Sequence, residues 1–298
     1  MISIFNAQNR MNRIYKSPRE SLYNHRFFEN LCSGYSYTLG EKNGRKEFLT
    51  FEPNGCKMSK ILKERQHYDL SYEIEQIVSR VIYSLLVFGK SYIYLTPEYS
   101  VSVENEKEVK KLSSMGIGEI KGYVKKRNRD HIVFCCKGFN GKIDVLEMQG
   151  KQLIELDIKD MGFKKRYFVN IHKKLSKCDI TQISTLMISN NTEGYDFSVH
   201  SRKRKIQELK VTKEIGWSFG VDGLSDSYIL YKKMQEDKLK LRFLEYVIEK
   251  INEGFEKYKD EADGLLVAHV KKKNYEQLWN DYLSGKITGS ELTNFLYY

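Results

Sequence analysis

A stripe of apolar residues late in the chain restricts the fold most. Leu230, Met234, Leu241, Leu244, Ile248, Ile251, Phe255 and Tyr258 recur at steps of three, four or seven residues. Only an α-helix places such positions on one face, so one long helix is predicted over about 226–260, entered through Asp222-Gly223-Leu224-Ser225. Asp237 alone interrupts the stripe. About four heptads at ~1.5 Å per residue give a helix roughly 50 Å long, more than a small globular core needs. Such a helix either packs along a neighbouring helix or takes part in assembly.

A second helical stripe runs through Leu70, Ile74, Ile77, Val78, Val81, Ile82, Leu85 and Leu86, with Gly89 as its left-handed terminator. Tyr92 to Leu95 then reads as a strand that Pro97 stops. Further strands are predicted at 119–124, 131–136, 142–148, 151–159 and 166–171. Near the start, 22–31 reads as a short helix, and 35–39 with 47–51 as a hairpin around Glu41-Lys42-Asn43-Gly44. A helix is expected over about 202–216. Two short helices end the chain: 275–283, then one opened by the capping box Thr288-Gly289-Ser290-Glu291. The fold class is therefore α+β: amphipathic helices around a mixed or antiparallel β-rich middle, with one long C-terminal helix. The sequence divides into regions 1–120, 121–200 and 201–298.

Charge follows that division. The net charge is +11, and residues 121–213, with 21 Lys and Arg against 10 Asp and Glu, hold a surplus of that size by themselves. The candidate nucleic-acid contacts are Lys125, Lys126, Arg127, Arg129, Lys164, Lys165, Arg166, Lys173, Lys174, Arg202, Lys203, Arg204 and Lys205. Tyr123, Phe139, Phe163, Tyr167 and Phe168 are interleaved with them. Neutralising phosphates releases counterions, and aromatic rings stack on unpaired bases, so this composition points to a nucleic-acid partner. An acidic protein surface is a second partner that the same patch fits.

Several chemistries are excluded. Cys32, Cys56, Cys135, Cys136 and Cys178 form neither a disulfide framework nor a C-x-x-C metal pair. Reduced thiols, no visible signal peptide and no long apolar span predict a cytoplasmic protein, or a virion component, without a membrane partner. Phe88-Gly89-Lys90-Ser91 resembles the end of a P-loop, but position 84 is serine where a glycine is required, and the order is helix to strand. The six histidines show no metal-ligand spacing. No catalytic residue and no resident cofactor is therefore predicted.

One stretch suggests an alternative. With a turn at Gln149-Gly150, strands 142–148 and 151–159 would form a hairpin that sets Asp144 across from Glu155, followed by Asp157 and Lys159. That arrangement resembles the PD-(D/E)xK nuclease core. The resemblance implies a metal-dependent nuclease, with Asp144, Glu155 and Asp157 holding Mg²⁺ and Lys159 helping to activate water or stabilise charge.

Three other segments are similar to parts of bacteriophage portal proteins: Tyr72–Pro97, an amphipathic helix followed by an aromatic strand; Gly223–Phe255, a short lead into the long helix; and Ser284–Leu296, with its capped late turn. This resemblance implies a ring-forming, non-enzymatic assembly protein through which duplex DNA passes. The favoured expectation is a DNA-associated structural or assembly protein, portal-like, oligomeric, and contacting DNA through its basic middle.

Overall fold

In the computed structural model, the described residues are 30–32, 49–52, 57–64, 70–104, 107–120, 122–127, 130–137, 142–175, 206, 215, 225–262, 264, 266–270 and 273–296. The expected segments 35–39 and 41–44 lie outside them, as do most of 22–31 and of 202–216. The fold is α+β. Its elements are β1 (Leu49–Glu52), α1 (Lys57–Glu64), α2 (Leu70–Phe88), β2 (Lys90–Glu104), β3 (Lys107–Glu119), β4 (Gly122–Arg127), β5 (Asp130–Lys137), β6 (Lys142–Gln149), β7 (Leu153–Asp157), α3 (Tyr167–Leu175), α4 (Asp226–Glu256), β8 (Val267–Val270), α5 (Tyr275–Leu283) and α6 (Gly289–Leu296). No helix among the described residues is long and apolar enough to cross a membrane.

The chain forms two compact units, each built from separated stretches. One takes the described parts of Glu47–Gly162 and Leu244–Lys271, and the other those of Pro18–Lys46, Phe163–Phe243 and Lys272–Tyr298. Helix α4 contributes residues 226–243 to the second unit and 244–256 to the first.

The first unit is a layered sheet structure. Its described strands pair antiparallel in the orders β1-β8, β3-β2-β7 and β4-β5-β6. Tyr92 and Tyr94 on one face of β2 pack with Val124 against a buried cluster of Ile120, Val133, Met148 and Leu153, which joins the two three-stranded sheets. Alternation sends Ile93 and Leu95 of β2 and Ile154 of β7 to the opposite face, where all three are buried. That face receives α4. A Cβ placed on Gly254 would lie 2.3 Å from Ile154 Cδ1 and 3.4 Å from Leu95 Cδ1, so only glycine lets the helix backbone come this close. Helix α2 reaches the same face through Ser84, whose hydroxyl donates to Glu119 of β3.

Two polar side chains of α4 complete the sheets. Asn252 Nδ2 donates to the Ala268 carbonyl at 2.9 Å, and its Oδ1 accepts from the Ala268 N–H at 2.9 Å. Ala268 lies opposite Phe51 in the β1–β8 pair. Its outward backbone groups thus meet an amide where a further strand would stand, and neither is left unpaired. The buried Tyr246 hydroxyl accepts from the Asp157 N–H at 3.0 Å and lies 2.9 Å from Asp160 Oδ2, closing the end of β7. Burial pushes that phenol well above its ordinary pKa.

In the second unit, residues 226–243 of α4 pack with α5 and α6. Ser225 caps α4 by accepting the Tyr228 N–H. The capping box forms as expected: Thr288 Oγ1 accepts from the Glu291 N–H at 3.2 Å, and Glu291 Oε2 accepts from the Thr288 N–H at 2.7 Å. Asp237, the interruption in the apolar stripe, is buried and meets Lys273 Nζ at 2.9 Å and the Tyr275 hydroxyl at 2.9 Å. Burial raises its pKa, and Lys273 and Tyr275 offset part of that rise.

Three expectations need correction. Strand β2 continues through Pro97 to Glu104. Strand β7 covers only Lys90–Tyr94 of it, so Pro97 sits where one strand edge has no described neighbour and a missing N–H is tolerated. Residues 166–171 fall largely in helix α3, because Phe168 and Ile171 share one buried helical face. Strand β1 pairs with β8, and the partner expected for it in the hairpin, 35–39, lies outside the described residues. Strands β6 and β7 do not pair: β6 lies beside β5 and β7 beside β2, with the short 3₁₀ turn Gly150–Gln152 carrying the chain from one sheet to the other.

Gly254→Ala is expected to lower unfolding stability by about 1–3 kcal/mol in denaturant titration, despite alanine's better helix propensity. Combining it with Ile154→Ala should cost less than the sum of the two single changes. Asp237→Ala should cost about 3 kcal/mol by leaving Lys273 without its carboxylate, and Asp237→Leu with Lys273→Met should recover most of that loss.

Candidate nucleic-acid interface

After β7 the chain enters a turn and then α3. The Tyr167 N–H donates to the Lys164 carbonyl at 2.7 Å, and the Asn170 N–H to the Arg166 carbonyl at 2.9 Å. Lys164, Lys165 and Arg166 are exposed on this turn, immediately before the helix. Cations are disfavoured at a helix N-terminus, so the turn is electrostatically suited to an anion.

Beside the three cations lies an aromatic cluster drawn from the turn, α3 and α4. The Phe163 ring is 5.3 Å from Tyr167, 5.1 Å from Phe168 and 6.2 Å from Phe243, the last nearly parallel. Phe168 packs on Phe243 at 5.7 Å. Phe168 and Phe243 are buried and anchor the cluster, whereas Phe163 and Tyr167 are half-buried and keep ring surface at the boundary. The exposed Arg242 places its guanidinium carbon 5.0 Å from the Phe163 ring centre, a cation–π contact. Cationic heads around partly open aromatic faces form a surface that can hold phosphate and stack a base.

The structure brings together only part of the expected set. Lys164, Lys165 and Arg166 share the turn, and Lys173 and Lys174 fall in the last turn of α3. Lys125 and Lys126 are exposed on β4, which belongs to the other unit, and Arg127 ends that strand opposite Asp130. Lys126 Nζ is 3.1 Å from Glu155 Oε1, so part of its charge is already matched. Arg129, Arg202, Lys203, Arg204 and Lys205 lie outside the described residues. Arg242 and Phe243 were missed by sequence reasoning. They sit on a helix whose apolar repeat explained it completely, and no local signal ties them to position 163.

The acidic residues of the nuclease arrangement are separated. Asp144 stands on β6 opposite Cys135, Glu155 on β7 opposite Tyr92, and Asp157 opposite Lys90. Glu155 pairs with Lys126, and Asp157 Oδ2 is 3.1 Å from Lys90 Nζ. Asp157 Oδ1 accepts the Lys159 N–H at 3.0 Å. Burial works to raise the Asp157 pKa, but the Lys159 amide and the Lys90 ammonium outweigh it and hold the carboxyl below its ordinary value. The Lys159 side chain is exposed. Among the described residues, no three His, Cys, Asp or Glu side chains converge on a metal site.

No family model matches the chain, and no curated protein matches it.

A depressed carboxylate contributes stability above its unfolded pKa and loses that contribution as the pH falls through its folded value. Asp157→Asn is therefore expected to lower the denaturation midpoint at neutral pH. The gap to the wild type should close as the pH falls below about 4.

Proposed function

We propose that this protein is a DNA-associated structural or assembly protein, portal-like and oligomeric, acting in the cytoplasm or in a virion. The observation that supports the DNA part is the turn of Lys164, Lys165 and Arg166 beside the half-buried Phe163 and Tyr167, with Arg242 over the Phe163 ring. Three cations and the Arg242 guanidinium supply the salt-dependent attraction to a phosphate backbone, and the half-buried rings of Phe163 and Tyr167 supply stacking to an unpaired base. The late capping box and the terminated helix α2 are local features that the portal resemblance draws on, and both are formed. The nuclease alternative draws less support, because Glu155 and Asp157 are engaged in ion pairs with Lys126 and Lys90, and Asp144 stands in a different sheet from both acids.

Fluorescence anisotropy with labelled duplex and single-stranded DNA tests the reading. The logarithm of the wild-type affinity should fall linearly with the logarithm of salt concentration. Replacing Lys164, Lys165 and Arg166 by Ala should flatten the duplex slope by about 2–3, since each phosphate contact contributes about 0.9. Tyr167→Leu should weaken single-strand binding ~5- to 100-fold, within the range of one lost base stack. Binding that is absent, or indifferent to salt, would overturn the reading.

A further inference from the structure

Residues 163–167 place three consecutive cations between two aromatic rings. The turn closed by the Tyr167 N–H on the Lys164 carbonyl brings those rings, Phe163 and Tyr167, to 5.3 Å with their planes 32° apart. Lys164, Lys165 and Arg166 are left exposed between them in the chain. Phe168 and Phe243 supply the buried part of the aromatic cluster. Phe163 carries the Arg242 guanidinium 5.0 Å from its ring centre and the nearly parallel Phe243 ring at 6.2 Å. Tyr167 meets Phe168 almost at right angles, at 5.0 Å, and keeps part of its surface open to solvent. Tyr167 is therefore the ring best placed to receive a ligand that the three cations have drawn in.

Charge and rings select different forms of nucleic acid. A cation responds to phosphate density, and each contact contributes about 0.9 to the salt slope on a duplex but about 0.7 on a single strand. Cations alone therefore favour the duplex. A ring does the opposite. Inside a duplex both faces of every base are covered by neighbouring base pairs, so an aromatic side chain beside the backbone gains nothing from them. An unpaired base offers its face, and one such stack strengthens binding about 5- to 100-fold. Because ring and cations are neighbours on one turn, the base and the phosphates they meet belong to the same or adjacent nucleotides. A single strand is thus the form that engages both parts of the turn. Every base has a π-face, so the stack tolerates any sequence.

We infer that the turn of residues 163–167 is a single-strand site, which takes one unpaired base against the Tyr167 ring, holds the flanking phosphates with Lys164, Lys165 and Arg166, and retains a duplex through the cations alone. The inference rests on the DNA part of the proposed function and is independent of the assembly part.

The test uses the full chain and three DNAs: a single strand of about 12 nucleotides, the same backbone made abasic, and a relaxed circular duplex, which has no ends. Tyr167→Leu should weaken binding of the intact strand ~5- to 100-fold and leave duplex binding unchanged. Tyr167→Phe, which keeps the ring, should bind both as the wild type does. The abasic strand should bind the wild type as weakly as the intact strand binds Tyr167→Leu, and combining the two changes should add no further loss. The wild-type preference for the single strand should widen as salt rises, because the duplex slope is the steeper one. Salt-dependent binding of both forms that Tyr167→Leu weakens alike would overturn the inference and leave the DNA reading standing. An abasic strand bound as tightly as the intact one would do the same. Absence of salt-dependent binding to either form would overturn both.

Discussion

Much of the first unit depends on the close seating of one helix on one sheet. Gly254 removes the side chain that would otherwise hold α4 away from Ile154 and Leu95. Once the backbone lies that near, Asn252 reaches the outer edge of β8 and Tyr246 reaches the end of β7. A helix held further away by one methyl group would lose apolar contact and strain both polar connections, because close-packed interiors do not yield by small amounts. Three residues within nine positions of one helix thus join a sheet face, a sheet edge and a strand end.

The second unit shows how a polar residue can occupy a buried helical stripe. Asp237 takes a position that periodicity assigns to an apolar side chain, and Lys273 and Tyr275, at the entry to α5, satisfy it there. A hydrocarbon core would be at least as stable, whereas removing either partner alone exposes the other to the full cost of desolvation. The bridge therefore fixes which residues meet between α4 and the start of α5 more than it adds stability.

The positive charge has a different structural meaning at different positions. In the first unit, Lys90 of β2 binds Asp157 of the neighbouring β7, and Lys126 of β4 binds Glu155 of β7 across two sheets. Lys164, Lys165 and Arg166 of the second unit stand exposed beside aromatic rings. Lys126 and the second set fall within residues 121–213, where the surplus charge lies, whereas Lys90 lies outside that stretch. Two of the three acids that suggested a metal site, Glu155 and Asp157, are the partners of the first set, which explains why they sit among lysines.

The sequence by itself determined the elements that are periodic and locally terminated. The stripes of α2 and α4, the left-handed Gly89 and the Thr288–Glu291 box are all written within a few residues, because helical hydrogen bonds and caps are local. The α+β class follows from those elements. Only the tertiary structure decided which strands pair. Alternation in β6 and β7 is equally compatible with a hairpin and with two separate sheets, and the choice rests on burial against distant residues such as Val133 and Ile93. It also decided that Pro97 is harmless at an edge with no described neighbour, that 166–171 coils into a helix over Phe243, and that Arg242 meets Phe163. Each of these depends on a partner far away in the chain, and local patterning carries no record of such a partner.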